Sequence, residues 1–223
     1  MVTFDLDGTL TRVHGWSVIA RAVHREPEYL ESNRRFLARE IDEDRHLKDF
    51  LQLAEGLRVT DIESLLASTP VIDGIAPTLE RLRSIGIRSA LLTHNPGYVC
   101  AWYQRRYGFD DWEGTLGTVI QDGRIVDAGP AHADKVGGLG RLVGRSGISP
   151  SLTVHVGDGW ADAAIFPRVG GGISFNSRLP EVDRAADEVV RSDSLSAIIA
   201  IVLRMTPRQV VESGVPSDAG SNT

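Results

Sequence analysis

The stretch MVTFDLDGTL, residues 1–10, decides the fold expected for this chain. Its first four residues predict a buried strand, and side chains two apart on a strand share a face, so Asp5 and Asp7 are expected to emerge together. Two carboxylates about 4 Å apart repel by roughly 4 kcal/mol at an effective dielectric constant near 20. The pair therefore needs a cation, a shared proton or a sharp turn, and Gly8 favours such a turn with backbone N–H groups open to an anion. A turn that is rich in aspartate for conformational reasons alone is the structural alternative.

The rest of the chain divides into a helical stretch and an alternating one. From His14 to about Thr69, apolar residues recur at helical spacing and predict three or four helices, with Thr60 and Glu63 forming a capping box. After Pro70, strands and helices alternate, which predicts a parallel sheet with a ligand site beyond the carboxyl ends of its strands. The predicted strands cover residues 87–93, 152–156, 172–175 and 188–191, with a hairpin at 117–127 that turns at Asp122-Gly123, and the predicted helices cover residues 76–85, 96–107, 133–143, 160–166 and 195–204.

These elements predict an α/β protein, with a Rossmann-like parallel sheet core, helices on both faces and an inserted helical-bundle cap. Residues 1–13 and 73–205 are expected to form the core, and residues 14–72 the cap that interrupts it directly after the first strand. Residues 206–223 are polar and are expected to form a disordered tail.

Composition narrows the functional classes. With 223 residues, 42% of them hydrophobic, the chain is large enough for a core that needs no disulfide or metal. Cys100 is the one cysteine, which excludes a disulfide framework and a cysteine-built zinc site. The net charge of −6 argues against a nucleic-acid partner, and no uncharged run approaches the ~18–20 residues of a membrane helix. We therefore expect a cytoplasmic protein, monomeric or homodimeric, without a nucleic-acid or membrane partner.

A second acidic cluster lies in VHVGDGWAD, residues 154–162. Asp158 follows a predicted strand, and Asp162 lies one helical turn later on the same face. Taken singly, Asp158 is explained by helix capping and Asp162 by a solvated helix surface. Two acidic pairs at the strand ends of one sheet, however, offer the carboxylate oxygens that Mg²⁺ prefers.

Two further positions favour anion binding. Thr93 follows an apolar strand, and a hydroxyl and loose amides at a helix N-terminus form an anion cradle. Lys135 begins a predicted helix, and Lys48 is the only other lysine in a chain that otherwise uses arginine. The choice of lysine over arginine at this position indicates that a compact positive charge is needed there. Thr93 as a simple helix cap and Lys135 as a solvated side chain are the structural alternatives.

Together these motifs resemble the haloacid dehalogenase superfamily. Its four ordered motifs correspond to DLDGTLT at residues 5–11, Thr93, Lys135, and GDGWAD at residues 157–162. The helical insertion resembles the C1-type cap of the phosphoserine-phosphatase-like branch, and the resemblance covers about residues 1–204.

The resemblance implies a Mg²⁺-dependent phosphatase that hydrolyses a small phosphorylated metabolite. In this family pattern, Asp5 is the nucleophile that forms an aspartyl-phosphate, and Asp7 acts first as general acid and then as general base. The implied metal ligands are Asp5, the backbone carbonyl of Asp7 and Asp158. Asp162 is implied to hold these ligands in place without binding the metal itself. The residues implied to bind the phosphoryl oxygens are Gly8, Thr93, the His94 amide and Lys135.

Departures from the branch pattern leave the substrate open. His14 stands where phosphoserine phosphatases usually carry a glutamate, Thr93-His94-Asn95 replaces Ser-Gly-Gly, and Ala161 replaces an asparagine. Asp7 favours a phosphatase or phosphomutase over a dehalogenase or a transport ATPase. The alternatives are a phosphotransferase or phosphomutase with the same aspartyl-phosphate, and a non-catalytic phosphate-binding regulatory module. The residues expected to be structural are Cys100, Trp16, Trp112, His132, His155 and the Arg34-Arg35 pair.

Overall fold

The computed structural model describes residues 1–128 and 134–206. Its strands are β1 (Val2–Phe4), β2 (Ser89–Pro96), β3 (Asp111–Leu116), β4 (Thr118–Gln121), β5 (Arg124–Ala128), β6 (Val154–Gly157), β7 (Gly171–Phe175) and β8 (Glu188–Val190). Its helices are α1 (Gly15–Ala22), α2 (Glu26–Leu37), α3 (Glu43–Leu53), α4 (Val59–Ala67), α5 (Ile75–Ser84), α6 (Gly97–Tyr107), α7 (Lys135–Ser146), α8 (Trp160–Ile165), α9 (Pro180–Ala185) and α10 (Ile199–Met205).

A six-stranded parallel sheet forms the centre of the molecule, in the order β3-β2-β1-β6-β7-β8. The chain adds β2 and β3 on one side of β1 and then crosses to β6 on the other side, so the strand order reverses beside β1. Every residue of β1 is buried, as expected for a parallel strand covered on both faces. The predicted α/β fold is confirmed. The reversal places the ligand-binding crevice of such a sheet next to the residues that follow β1 and β6.

Four helices, α1–α4, separate β1 from α5, which confirms the predicted helical stretch. They pack through large rings: Phe50 of α3 stacks on Trp16 of α1 and on Tyr29 of α2, with ring centroids 5.9 and 5.1 Å apart. Beside them, β4 and β5 form the predicted hairpin. Its turn residues Asp122 and Gly123 both have positive φ, as the Asp-Gly signal requires.

The predicted capping box at Thr60 is wrong. Helix α4 begins at Val59, and its N-cap, Arg58, makes no side-chain capping bond. The hairpin sets this start, because the Val59 amide donates to the carbonyl of Gly123 at 2.9 Å and fixes the entry of the chain into the helix. Thr60 therefore lies within the first turn, where its carbonyl accepts a hydrogen bond from Ser64.

One further boundary and two whole elements differ from expectation. Strand β2 does not end at Thr93 but continues to Pro96, because it keeps pairing with β3 after a register shift. Strand β3 and helix α9 were not predicted. Of the predicted tail 206–223, all but Thr206 lies outside the described residues, as do Ala133 of the predicted helix and His132. Within the described ranges, no helix has the length and apolar character needed to cross a membrane.

Candidate active site

The turn after β1 is packed directly against the end of β6. The Asp5 amide donates to the carbonyl of Val156 at 2.9 Å, which extends the pairing of the two strands into the turn. Gly8 has φ +90°, and a Cβ at this position would lie 2.3 Å from Oδ2 of Asp158. Thr9 donates its hydroxyl to Oδ1 of the same carboxylate at 2.8 Å. Glycine at position 8 is therefore required for both the turn conformation and the close approach of Asp158.

Three carboxylates and one ammonium group meet at this edge of the sheet. One oxygen each of Asp5, Asp158 and Asp162 lies within 4.8 Å of the others. The Lys135 Nζ lies 2.8 Å from Oδ1 of Asp5 and also contacts Oδ1 of Asp162. Lys135 is only 5% exposed, so it is a buried ion-pair partner and not a solvated surface lysine.

Asp162 is held from several directions. Its Oδ2 accepts hydrogen bonds from the backbone amides of Asp158 and Gly159, and its Oδ1 is 2.8 Å from Nε2 of His155. Burial opposes its ionisation, but Lys135 and the His155 contact outweigh burial and hold the pKa of Asp162 well below its usual range. Asp162 is thus a fixed anion that orients Lys135 and the turn after β6.

The other two carboxylates, Asp158 and Asp5, lack enough nearby positive charge to offset the cost of their burial. Burial, followed by repulsion from Asp5 and Asp162, raises the pKa of Asp158 well above its ordinary value. Burial also raises the pKa of Asp5, although Lys135 partly offsets it. Three carboxylates and one ammonium leave two excess negative charges, and all the donor atoms are oxygens. This donor set fits a hard divalent cation such as Mg²⁺, which would balance the charge that burial now penalises.

Asp7 has a different environment. Its Oδ1 accepts a hydrogen bond from the Gly15 amide at 2.7 Å, and its Oδ2 accepts one from Asn95 Nδ2 at 2.8 Å. The same amide group of Asn95 donates to Thr93 Oγ1 at 3.0 Å. Because Thr93 accepts this bond, its own hydroxyl proton remains available for a ligand oxygen. Donors from α1 and β2 therefore orient Asp7.

All the predicted site residues except Gly8 line one cavity of about 310 Å³ between the strand ends and helices α1–α3. His14 also lines it, and Nδ1 of His94 lies 3.3 Å from Glu43 of α3. Gly8 does not line this cavity but an adjacent one. The predicted site residues that line the cavity are Asp5, Asp7, Thr93, His94, Lys135, Asp158 and Asp162.

Two residues of the site were not predicted from the sequence. Asn95 was noted only as a departure from the family pattern, yet it links Thr93 to Asp7. His155 was expected to be structural without a defined partner, yet it is fully buried between Asp162 and the Thr3 hydroxyl. A histidine inside an apolar strand was the available signal, because a buried imidazole needs hydrogen-bond partners.

The other structural expectations are confirmed where the structure describes the residues. Cys100 is fully buried. Trp16 is 3% exposed and packs against Phe50, but it also lines the cavity, which the sequence did not predict. Trp112 is partly buried against the core. Arg34 pairs with exposed glutamates of its own segment.

Comparisons with known proteins agree with this geometry. The model of a family described as haloacid dehalogenase-like hydrolase matches residues 1–170. A phosphoserine phosphatase from Idiomarina loihiensis is 29% identical over 208 residues, which are 89% of this chain and 91% of that protein. Among solved structures, a HAD family hydrolase from Salmonella enterica serovar Typhi has a TM-score of 0.81 at 17% identity, over 96% of this chain and 71% of that one. A substrate-bound phosphoserine phosphatase has a TM-score of 0.78 at 21% identity, over 90% of this chain and 97% of that one.

Proposed function

This chain belongs to the haloacid dehalogenase-like hydrolase family, and on that premise we propose that it is a Mg²⁺-dependent phosphatase that hydrolyses a small phosphomonoester through an aspartyl-phosphate on Asp5. The observation that carries the proposal is the setting of Asp5: Lys135 holds one of its oxygens at 2.8 Å, in the wall of a cavity that Asp7 also lines. The phosphoserine phosphatases among its relatives and structural neighbours support the phosphatase class.

The reaction needs one nucleophile and one proton carrier. Because Lys135 occupies Oδ1 of Asp5, Oδ2 is the oxygen that attacks phosphorus while the bond from phosphorus to the ester oxygen breaks. Asp7 gives its proton to the departing oxygen, which leaves as an alcohol. Asp7 then removes a proton from water, which attacks the aspartyl-phosphate and releases inorganic phosphate and the Asp5 carboxylate.

Charge compensation is the second requirement, because an anionic carboxylate must approach an anionic phosphate. Lys135 supplies one positive charge, and the Thr93 hydroxyl supplies a neutral donor for a phosphoryl oxygen. Mg²⁺ would be held by Asp5, Asp158 and the backbone carbonyl of Asp7. Asp162 would hold these ligands in place without binding the metal itself. When bound, the cation supplies electrostatic stabilisation of the phosphoryl oxygens.

We also infer that residues 14–72 act as a cap over the core formed by residues 1–13 and 73–205. Two polar contacts support this division of roles. The amide of Gly15, at the start of α1, donates to Asp7. Glu43 of α3 pairs with His94 at the end of β2. The inserted helices thus touch the predicted acid and the predicted phosphate-binding segment.

Hydrolysis of p-nitrophenyl phosphate tests the proposal. Turnover should require Mg²⁺, and Asp5→Asn should lower kcat by at least about 10³-fold because the nucleophile is lost. Asp127→Asn is a matched control, since Asp127 is an exposed aspartate on β5 and should leave kcat unchanged. Undiminished activity in EDTA or in Asp5→Asn would contradict the mechanism. Transfer of phosphate to an added alcohol as the main reaction would identify a phosphotransferase instead.

A further inference from the structure

Part of the lining of the cavity consists of aromatic rings. We propose that the site is specific for phosphomonoesters whose alcohol part is uncharged and aromatic or apolar, and not for a phosphorylated amino acid. The inference rests on the proposed phosphatase function and adds the substrate class. The aromatic wall that carries it consists of Trp16, Phe36, His46, Phe50 and Trp160, all of which line the cavity.

The aromatic wall is continuous from the inserted helices to the core. Phe36 of α2 stacks on His46 of α3 with ring centroids 4.4 Å apart and planes within 6°. His46 lies 4.2 Å from Phe50, which in turn stacks on Trp16. On the other side, Phe36 meets Trp160 of α8 edge-on at 5.6 Å. Rings from four helices therefore present one surface that favours apolar and aromatic ligand groups.

His46 contributes an uncharged ring to this surface. The Ser32 hydroxyl donates to Oδ2 of Asp49 at 2.9 Å, so its oxygen accepts the hydrogen bond from Nδ1 of His46 at 3.0 Å. Burial lowers the pKa of His46 to about 4. At neutral pH, this side chain is therefore a neutral imidazole packed between two phenyl rings.

The described lining of the cavity offers no free lysine or arginine for a substrate carboxylate. Among the described residues that line it, Lys135 is the only lysine or arginine, and its ammonium contacts two carboxylates. Glu43 adds a further negative charge at the wall. A carboxylate in the alcohol part of the substrate would lose its hydration without gaining a paired cation, which is strongly unfavourable. The carboxylate of an amino acid phosphate is therefore disfavoured, and an alcohol part without a carboxylate is favoured.

Two side chains are the rivals for recognising an anion. Arg39 places its guanidinium 6.0 Å from the ring centroid of Trp160, outside the lining of the cavity. His14 lines the cavity and can donate one hydrogen bond to a hydroxyl or a carboxylate. An amino acid requires one protein group that binds its ammonium and another that binds its carboxylate. Neither Arg39 nor His14 completes such a site. The volume of about 310 Å³ is at the lower end of the ~300–1,000 Å³ typical of small-molecule sites, so the alcohol part is small.

A panel of primary-alcohol phosphates tests this substrate class. The panel contains benzyl phosphate, ethyl phosphate, O-phosphoethanolamine, phosphoglycolate and O-phospho-L-serine, which vary ring and charge while keeping the ester type. We expect kcat/KM for benzyl phosphate to exceed that of ethyl phosphate and of phosphoserine by at least about tenfold. Phe36→Ala should lower the ratio of benzyl to ethyl phosphate by at least about fivefold. Leu30→Ala, which changes a 58% exposed residue on the same helix, should leave the ratio unchanged.

The outcomes separate this inference from the proposed function. If phosphoserine, phosphoethanolamine or phosphoglycolate equals or exceeds benzyl phosphate, the phosphatase stands and the substrate class is wrong. A loss of that phosphoserine or phosphoglycolate activity in Arg39→Ala or His14→Gln would then identify the group that binds the carboxylate. If neither this panel nor p-nitrophenyl phosphate is hydrolysed, the proposed function itself fails. The wild-type comparison decides the question even if Phe36→Ala does not fold.

Discussion

Replacing Asp158 by asparagine is expected to stabilise the metal-free protein while abolishing its response to Mg²⁺. Asparagine keeps the shape of the side chain and an oxygen that can accept the hydrogen bond from Thr9. It removes, however, one of the three carboxylates that lie together after β1 and β6. Most single substitutions lower stability, so the predicted gain indicates crowded charge at this position.

The magnitude follows from the geometry. Two unit charges 4.8 Å apart repel by about 3.5 kcal/mol at an effective dielectric constant near 20. Asp158 faces two carboxylates and one ammonium, so about one such repulsion remains after Lys135 is counted. Partial protonation of Asp158 reduces this value. We therefore expect the free energy of unfolding of Asp158→Asn in EDTA at pH 8 to exceed that of the wild type by about 2 kcal/mol.

The pH dependence has a definite sign. The folded-state pKa of Asp158 is raised above its unfolded value, so the folded protein holds this proton more tightly. The resulting stabilisation is present at low pH and is lost as the pH rises through the folded-state pKa. The advantage of Asp158→Asn over the wild type should therefore grow with increasing pH and be smallest near pH 4.

Urea unfolding followed by tryptophan fluorescence measures both effects. A hundredfold excess of Mg²⁺ over its dissociation constant should stabilise the wild type by about 2.7 kcal/mol, and Asp158→Asn by much less. Asp127→Asn on β5 is the control and should behave as the wild type in both conditions. A metal-free Asp158→Asn less stable than the wild type at pH 8, or an undiminished response to Mg²⁺, would refute the charge argument.

Three further predictions use matched positions in the chain. Lys135→Met should abolish phosphatase activity and lower the free energy of unfolding by about 3–5 kcal/mol, because two buried carboxylates lose their cation. Lys48 is exposed, so Lys48→Met should change the free energy of unfolding by less than about 0.5 kcal/mol. Gly8→Ala should lower kcat/KM more than about a hundredfold, because its Cβ displaces Asp158; Gly140→Ala, in open space on α7, should keep activity and raise stability slightly in thermal melts. Burial raises the pKa of the Cys100 thiol, so a disulfide reagent should modify it only after denaturation, and rapid labelling of the native protein at pH 8 would contradict its burial.

The acidic residues of the site were predictable because their placement depends on local rules. Asp5, Asp7 and Asp158 each follow a strand, and a parallel sheet brings the carboxyl ends of its strands to one edge. Lys135 and Thr93 lie next to predicted elements, but each had a structural alternative, and the resemblance to the haloacid dehalogenase superfamily implied their roles. A local sequence pattern is therefore sufficient to predict a site residue when the order of the strands alone brings its side chain to the site.

The remaining parts depend on contacts that no local pattern contains. Strand β3 was missed because Glu113 occupies a buried position in it, where Arg141 and Arg145 of α7 neutralise the charge at 2.6 Å each. Asn95 reaches Asp7 across 88 positions of sequence. The aromatic wall likewise assembles from helices whose relative positions the sequence pattern does not specify.

The hydrogen bond from the Gly15 amide to Asp7 joins helix α1, whose Trp16 lines the cavity, to the residue proposed to transfer the proton. Any displacement of α1 from the core would lengthen this hydrogen bond and change the orientation of the Asp7 carboxylate. Under the proposed mechanism, the position of α1 would therefore affect both the wall of the cavity and the chemical step. Evolution toward a new substrate through a displacement of α1 would have to restore the donor to Asp7, whereas side-chain replacements in α2 that keep α1 in place would leave that donor unchanged.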